Sequence, residues 1–142
     1  MPLLLVANLA VALLLTGLIW TVQLVHYPLF AAVGEASLAA YVREHGGRIG
    51  LLVVPLMSLE LLAAGWMALR PPGAVPGWAA WTGLALVGLI WVVTAVVLVP
   101  VHGRLAASPT PADLALLVTA NWIRTAAWTA RAGLLVWLAG RS

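Results

Sequence analysis

Two stretches decide the fold: LLLVANLAVALLLTGLIWTVQLV at residues 3–25 and GWAAWTGLALVGLIWVVTAVVLV at residues 77–99, neither with a charged side chain. A helix needs about 20 consecutive apolar residues to cross a hydrocarbon core about 30 Å thick. Both stretches pass that length. A secretory signal has a basic leading region and a shorter apolar core; the first stretch has neither, so it reads as a retained helix. Working outward, residues 49–69 form another span, closed by Arg70-Pro71-Pro72-Gly73, a strong helix stop. A fourth span is expected at 117–139, the apolar part of a longer helix. Thr110 is its natural N-cap, Pro111 suits its first position, Asp113 favours its positive end and Gly140 closes it.

The connections are short, so sequential neighbours should be antiparallel. The expected fold is all-α: one integral membrane domain over residues 1–142, an up-down four-helix bundle. Residues 29–48 differ from the spans. Leu38, Tyr41, Val42 and His45 form a stripe at i, i+3, i+4, i+7, and Gly46-Gly47 then interrupts it. This spacing predicts a short amphipathic helix at about 35–45 lying in the interface between the first two spans.

Composition agrees. The chain is 64% hydrophobic and 8% charged, against roughly 25% charged for a soluble domain, and this excludes an ordinary soluble globule. Seven basic residues, all arginine, give a net charge of +3 without any basic run, so nucleic acid is not an expected partner. No cysteine is present, which excludes disulfides and thiolate metal sites. The expected partners are the bilayer, a hydrophobic small molecule, and a homo-oligomer or larger membrane complex. The expected location is multi-pass, in a bacterial inner membrane.

Polar residues gather at one end. His26 follows the first span, His45 precedes the second and His102 follows the third, so all three fall on one side of the bundle. At 100° per residue Asn121, Arg124, Trp128 and Arg131 share one stripe of the fourth helix, while Thr16, Trp20, Gln23 and Tyr27 share one on the first. Glu60 lies roughly 18 Å below that face, between Arg124 at roughly 12 Å and Arg131 at roughly 22 Å. An isolated charge at such depth costs at least about 2.5–3.5 kcal/mol. The stripes are therefore expected to turn inward, with Glu60 pairing with Arg124, Arg131 or both. Pro55 removes a backbone donor and frees the carbonyl of Leu51, which favours a kink there.

The side chains allow several chemistries. His26, His45 and His102 are candidate ligands for iron, copper or zinc, and a haem between His26 and His102 is an alternative. Interfacial histidines bonded to backbone or headgroups are the plainer possibility. Glu60, Arg124, Arg131 and Asn121 are the candidate catalytic groups: Arg124 and Asn121 to hold a substrate oxygen, Glu60 or a histidine to move protons. The plainer possibility for Glu60 and the arginines is a structural ion pair. Trp20, Trp91 and Trp128, with Gln23 and Tyr27, are candidate substrate-binding residues, whereas Trp66, Trp78, Trp81 and Trp137 read as an interfacial belt.

Three motifs carry a resemblance: Val25-His26-Tyr27-Pro28, Val99-Pro100-Val101-His102-Gly103-Arg104-Leu105, and Asn121-Trp122-Ile123-Arg124-Thr125. In these the chain resembles the anthrone-oxygenase-like family of small four-helix membrane proteins. The resemblance implies oxygenation of a hydrophobic aromatic substrate. The expected function is thus an oxidoreductase or oxygenase acting on a ring-bearing or quinone-like molecule. A non-enzymatic subunit of a larger membrane complex is the alternative. A small transporter is disfavoured, because four spans without an internal repeat leave little room for alternating access.

Overall fold

The computed structural model describes residues 3–73 and 75–141. It is all-α, with four helices and no strand among the described residues: α1 (Leu3–Phe30), α2 (Glu35–Leu69), α3 (Gly77–Ala107) and α4 (Pro111–Ala139). Helices α1, α2 and α3 are long and apolar enough to cross a membrane. α4 has the length, at 29 residues, but Asn121, Arg124 and Arg131 lower its mean hydropathy, and it is not among the three. Contacts across the molecule run in opposite directions along neighbouring helices. Asn8 and Gln23 of α1 meet Arg131 and Asn121 of α4, and Arg104 near the end of α3 meets Asp113 at the start of α4.

The start of α4 follows its sequence. The Thr110 hydroxyl accepts the Asp113 amide at 3.1 Å, and Arg104 pairs with Asp113 at 2.6 Å. The Arg104 hydrogen bonds hold the Asp113 carboxyl below its ordinary range. α2 ends at Leu69, before Pro71 and Pro72.

Two boundaries depart from expectation. Residues 35–45 are not a separate interfacial helix: α2 runs unbroken from Glu35 to Leu69, through Gly46, Gly47 and Pro55. Glycine inside a helix costs about 0.5–1 kcal/mol relative to alanine, too little to outweigh burial of Leu38, Val42 and His45 on one side of the pair and Met57 on the other. No glycine takes a positive φ. Gly47 is exposed and a Cβ there would meet nothing within 4 Å, so Gly47→Ala is expected to stabilise the fold by about 0.5–1 kcal/mol, measurable as a raised thermal midpoint in detergent.

Pro100 likewise does not end α3, which continues to Ala107. Here and at Pro28 a π turn precedes the proline, at Thr94–Leu98 and Val22–His26. The Val99 amide bonds back to Thr94 and the Tyr27 amide to Val22. A proline ring displaces the carbonyl four residues earlier; the widened turn makes room for it.

The apolar interior forms two clusters. One, around Ile19, Phe30, Val42, Ile90, Leu98 and Trp128, fills the histidine end. The other, around Leu5, Met67, Ala79 and Leu135, fills the opposite end.

Candidate functional site

A cavity of about 270 Å³ lies in the histidine half, walled by Ile19 and Val22 of α1, Gly46, Gly50 and Val53 of α2, and Leu98 of α3. Its polar groups come from Tyr27, Thr94, His102, Arg124 and Trp128. Val54 and Val99 also line it and are exposed, which places its mouth on the outer flank of the helices.

Arg124 is 6% exposed and has no acidic partner among the described residues. Its guanidinium lies 4.9 Å over the Trp128 ring, interacts with the Tyr27 hydroxyl, and donates to Asn121 Oδ1 at 3.4 Å. Its Nε has no hydrogen-bond partner among the described residues. Behind it, Asn121 Nδ2 donates to Gln23 Oε1 at 2.8 Å, Thr125 donates to the same oxygen at 3.3 Å, and Gln23 Nε2 reaches the Val118 carbonyl at 3.2 Å. This buried amide network fixes the face of α4 that presents Arg124. A cation held without a counter-anion, beside an apolar cavity, suits an incoming oxygen with partial or full negative charge.

The three histidines do meet. The His26 and His45 rings lie 4.7 Å apart, and His45 and His102 stack at 6.1 Å with 12° between planes. Tyr27 and Phe30 pack around them. His102 Nδ1 lies 2.8 Å from the Leu98 carbonyl; Nδ1 therefore donates and Nε2 is left as an acceptor. Among the described residues no group of three or more His, Cys, Asp or Glu side chains is arranged to hold a metal ion, so the expected three-histidine metal set is not seen as a ligand cluster. Only His102 lines the cavity. His26 and His45 line a neighbouring cleft with Tyr41, Glu44 and Arg48.

Glu60 and Arg131 form a separate unit. Arg131 is 0% exposed; its Nε lies 3.6 Å from Glu60 Oε1 and its Nη2 donates to Asn8 Oδ1 at 2.7 Å. Trp128 Nε1 donates to Glu60 Oε2 at 2.9 Å. A Cβ on Gly83 would collide with Arg131 Nη1, so glycine is what lets the guanidinium cross to α3. All four helices thus meet at one ionic brace. The expected inward turn of both arginines is present, but the partner of Glu60 is Arg131 and not Arg124. Neither Glu60 nor Arg131 lines the cavity; Trp128 connects the two units, its ring under Arg124 and its N–H on Glu60.

The aromatic expectations divide. Trp128 is in the wall. Trp20 is 37% exposed, bonded to Thr129 and edge-on to Trp122, and is not part of the lining. Trp20 stands one residue, about 100°, past buried Ile19, and the π turn that follows keeps the buried face stepping from Ile19 to Gln23 to Tyr27. Trp91 is half-buried against the apolar cluster and outside the lining.

Asn8, Thr125, Gly50 and Gly83 are not among the site residues expected from sequence, and Gly46 is expected there only as a helix break. Asn8 had a usable signal, a lone amide within the charge-free first stretch. The glycines had none, because their value lies in what occupies the space beside them.

No protein-family model, curated protein or solved structure matches this chain.

Proposed function

We propose that the chain is a membrane-embedded oxidoreductase or oxygenase whose substrate is a hydrophobic, ring-bearing, quinone-like molecule bound in the cavity beside Arg124. The observation that carries this is a guanidinium without a carboxylate partner among the described residues, on the wall of a mostly apolar cavity. On this reading all four helices cross the bilayer as an up-down bundle, α4 included, since its charged residues at depth are buried among the other three. The exposed Val54 and Val99 at the mouth then give lateral entry from the hydrocarbon. Arg124 donates to the substrate oxygen, Trp128 packs against the ring, and His102 Nε2 accepts a proton from a ring hydroxyl. The resemblance to the anthrone-oxygenase-like family points to the same substrate type.

Mass spectrometry of an organic extract of the purified protein tests this. A ring-bearing compound is expected at near-stoichiometric amount from the wild type and to be absent from Arg124→Leu. A protein that yields no such compound and co-purifies with a stoichiometric membrane partner would overturn it in favour of a non-enzymatic subunit. The observation on that side is that Glu60 and Arg131, the most deeply buried charges, brace the helices and stay out of the cavity.

A further inference from the structure

Gly46 and Gly50 stand one turn apart on α2 and both line the cavity. A Cβ on either would meet no atom within 4 Å. Open space, not a neighbouring helix, therefore lies over them. Neither has a positive φ, so the backbone does not require glycine. Each costs the helix about 0.5–1 kcal/mol relative to alanine. What the two glycines provide is a flat stretch of wall with room beside it. The same lining holds the Trp128 ring and Arg124, whose side chain is more than nine-tenths buried and whose Nε has no hydrogen-bond partner among the described residues.

The volume sets a scale. An apolar cavity of roughly 150 Å³ takes up one benzene ring. Filled to the same degree, a cavity of about 270 Å³ accommodates two fused rings with their oxygens. We propose that Gly46 and Gly50 size the site for a planar two-ring head of the naphthoquinone class, with one carbonyl oxygen on Arg124 and apolar substituents leaving past Val54 and Val99. This rests on the ring-ligand function proposed above. It adds the ring count and the residues that set it. On this proposal a β-branched side chain at position 50 takes up cavity volume that a second ring needs.

The test uses the full chain in detergent micelles and saturable quenching of tryptophan fluorescence by three probes: tetramethylbenzoquinone, menadione (a methylated naphthoquinone) and a methylated anthraquinone. The chain has no cysteine and no lysine for quinones to alkylate. Wild-type protein is expected to bind menadione about tenfold more tightly than the anthraquinone, and Gly50→Val to lose about tenfold or more for menadione while tetramethylbenzoquinone changes little. Gly65→Val, on the same helix in open space but outside the lining, is expected to change neither. Equal wild-type affinity for the two-ring and three-ring probes would overturn the ring count, whatever the variants do. Undiminished menadione binding by Gly50→Val would overturn the role of the glycine wall. Either result leaves the ring-ligand function standing. Absence of saturable binding for all three probes would instead remove that function, and the sizing with it.

Discussion

Arg131→Met is expected to destabilise the folded protein by about 3–5 kcal/mol, because Glu60 then stays buried without its cation. The Glu60 carboxylate is 1% exposed, with Trp128 Nε1 as its only remaining donor among the described residues. Asn8 Oδ1 loses its partner at the same time. The double variant Glu60→Leu with Arg131→Met is expected to be more stable than Arg131→Met alone. With both charges gone no ion is left stranded, and a buried pair exchanged for apolar residues is often neutral. Denaturation followed by circular dichroism in detergent measures both. A single variant as stable as the wild type would show that the brace does not hold the helices together. A double variant less stable than the single would show that the apolar pair does not fill the space the ions leave.

Arg124→Leu is expected to act in the opposite way. Its guanidinium is buried without a carboxylate partner among the described residues, so no ion pair there offsets its desolvation, and removing it should leave stability unchanged or raise it. Ring-ligand affinity should fall by about 10–100-fold, since a hydrogen bond to a charged group is worth about 1.5–3 kcal/mol and each 1.4 kcal/mol is a factor of ten. Arg124→Lys should recover part of the loss: the charge returns, but the planar fork that spans Asn121, Tyr27 and the ligand oxygen does not. Titration of menadione into the three proteins, alongside their unfolding midpoints, checks both halves. Unchanged affinity in Arg124→Leu would remove Arg124 from the site. A large loss of stability would make it a second brace.

The two arginines show what a sequence conveys about a buried site. Both share a stripe with Asn121 and Trp128, and a charge at that depth is costly, so their inward turn follows from periodicity and energetics. Which of them meets Glu60 does not follow. That depends on the rotation of α2 and on Gly83 of α3, where the missing side chain admits the Arg131 guanidinium. The histidines repeat the pattern: their common end of the bundle is a matter of counting spans, whereas the ring stack that joins them, with only His102 at the cavity, depends on how α1, α2 and α3 pack.

By itself the sequence determined the local and one-dimensional properties of this protein: charge-free runs long enough to span a membrane, the Thr110 cap, the proline stop after Leu69, and the need to hide Glu60, Arg124 and Arg131. These depend on neighbours along the chain and on the cost of charge in an apolar medium. The tertiary structure decided that α2 continues through Gly46-Gly47, that π turns before Pro28 and Pro100 rephase α1 and α3, and that Trp20 faces outward. It also separated the ionic brace from the cavity. The physical reason is that a helix turns about 100° per residue. One extra residue in a turn, or one absent side chain at a crossing, is enough to change which groups meet, and neither leaves a mark on the hydrophobic pattern.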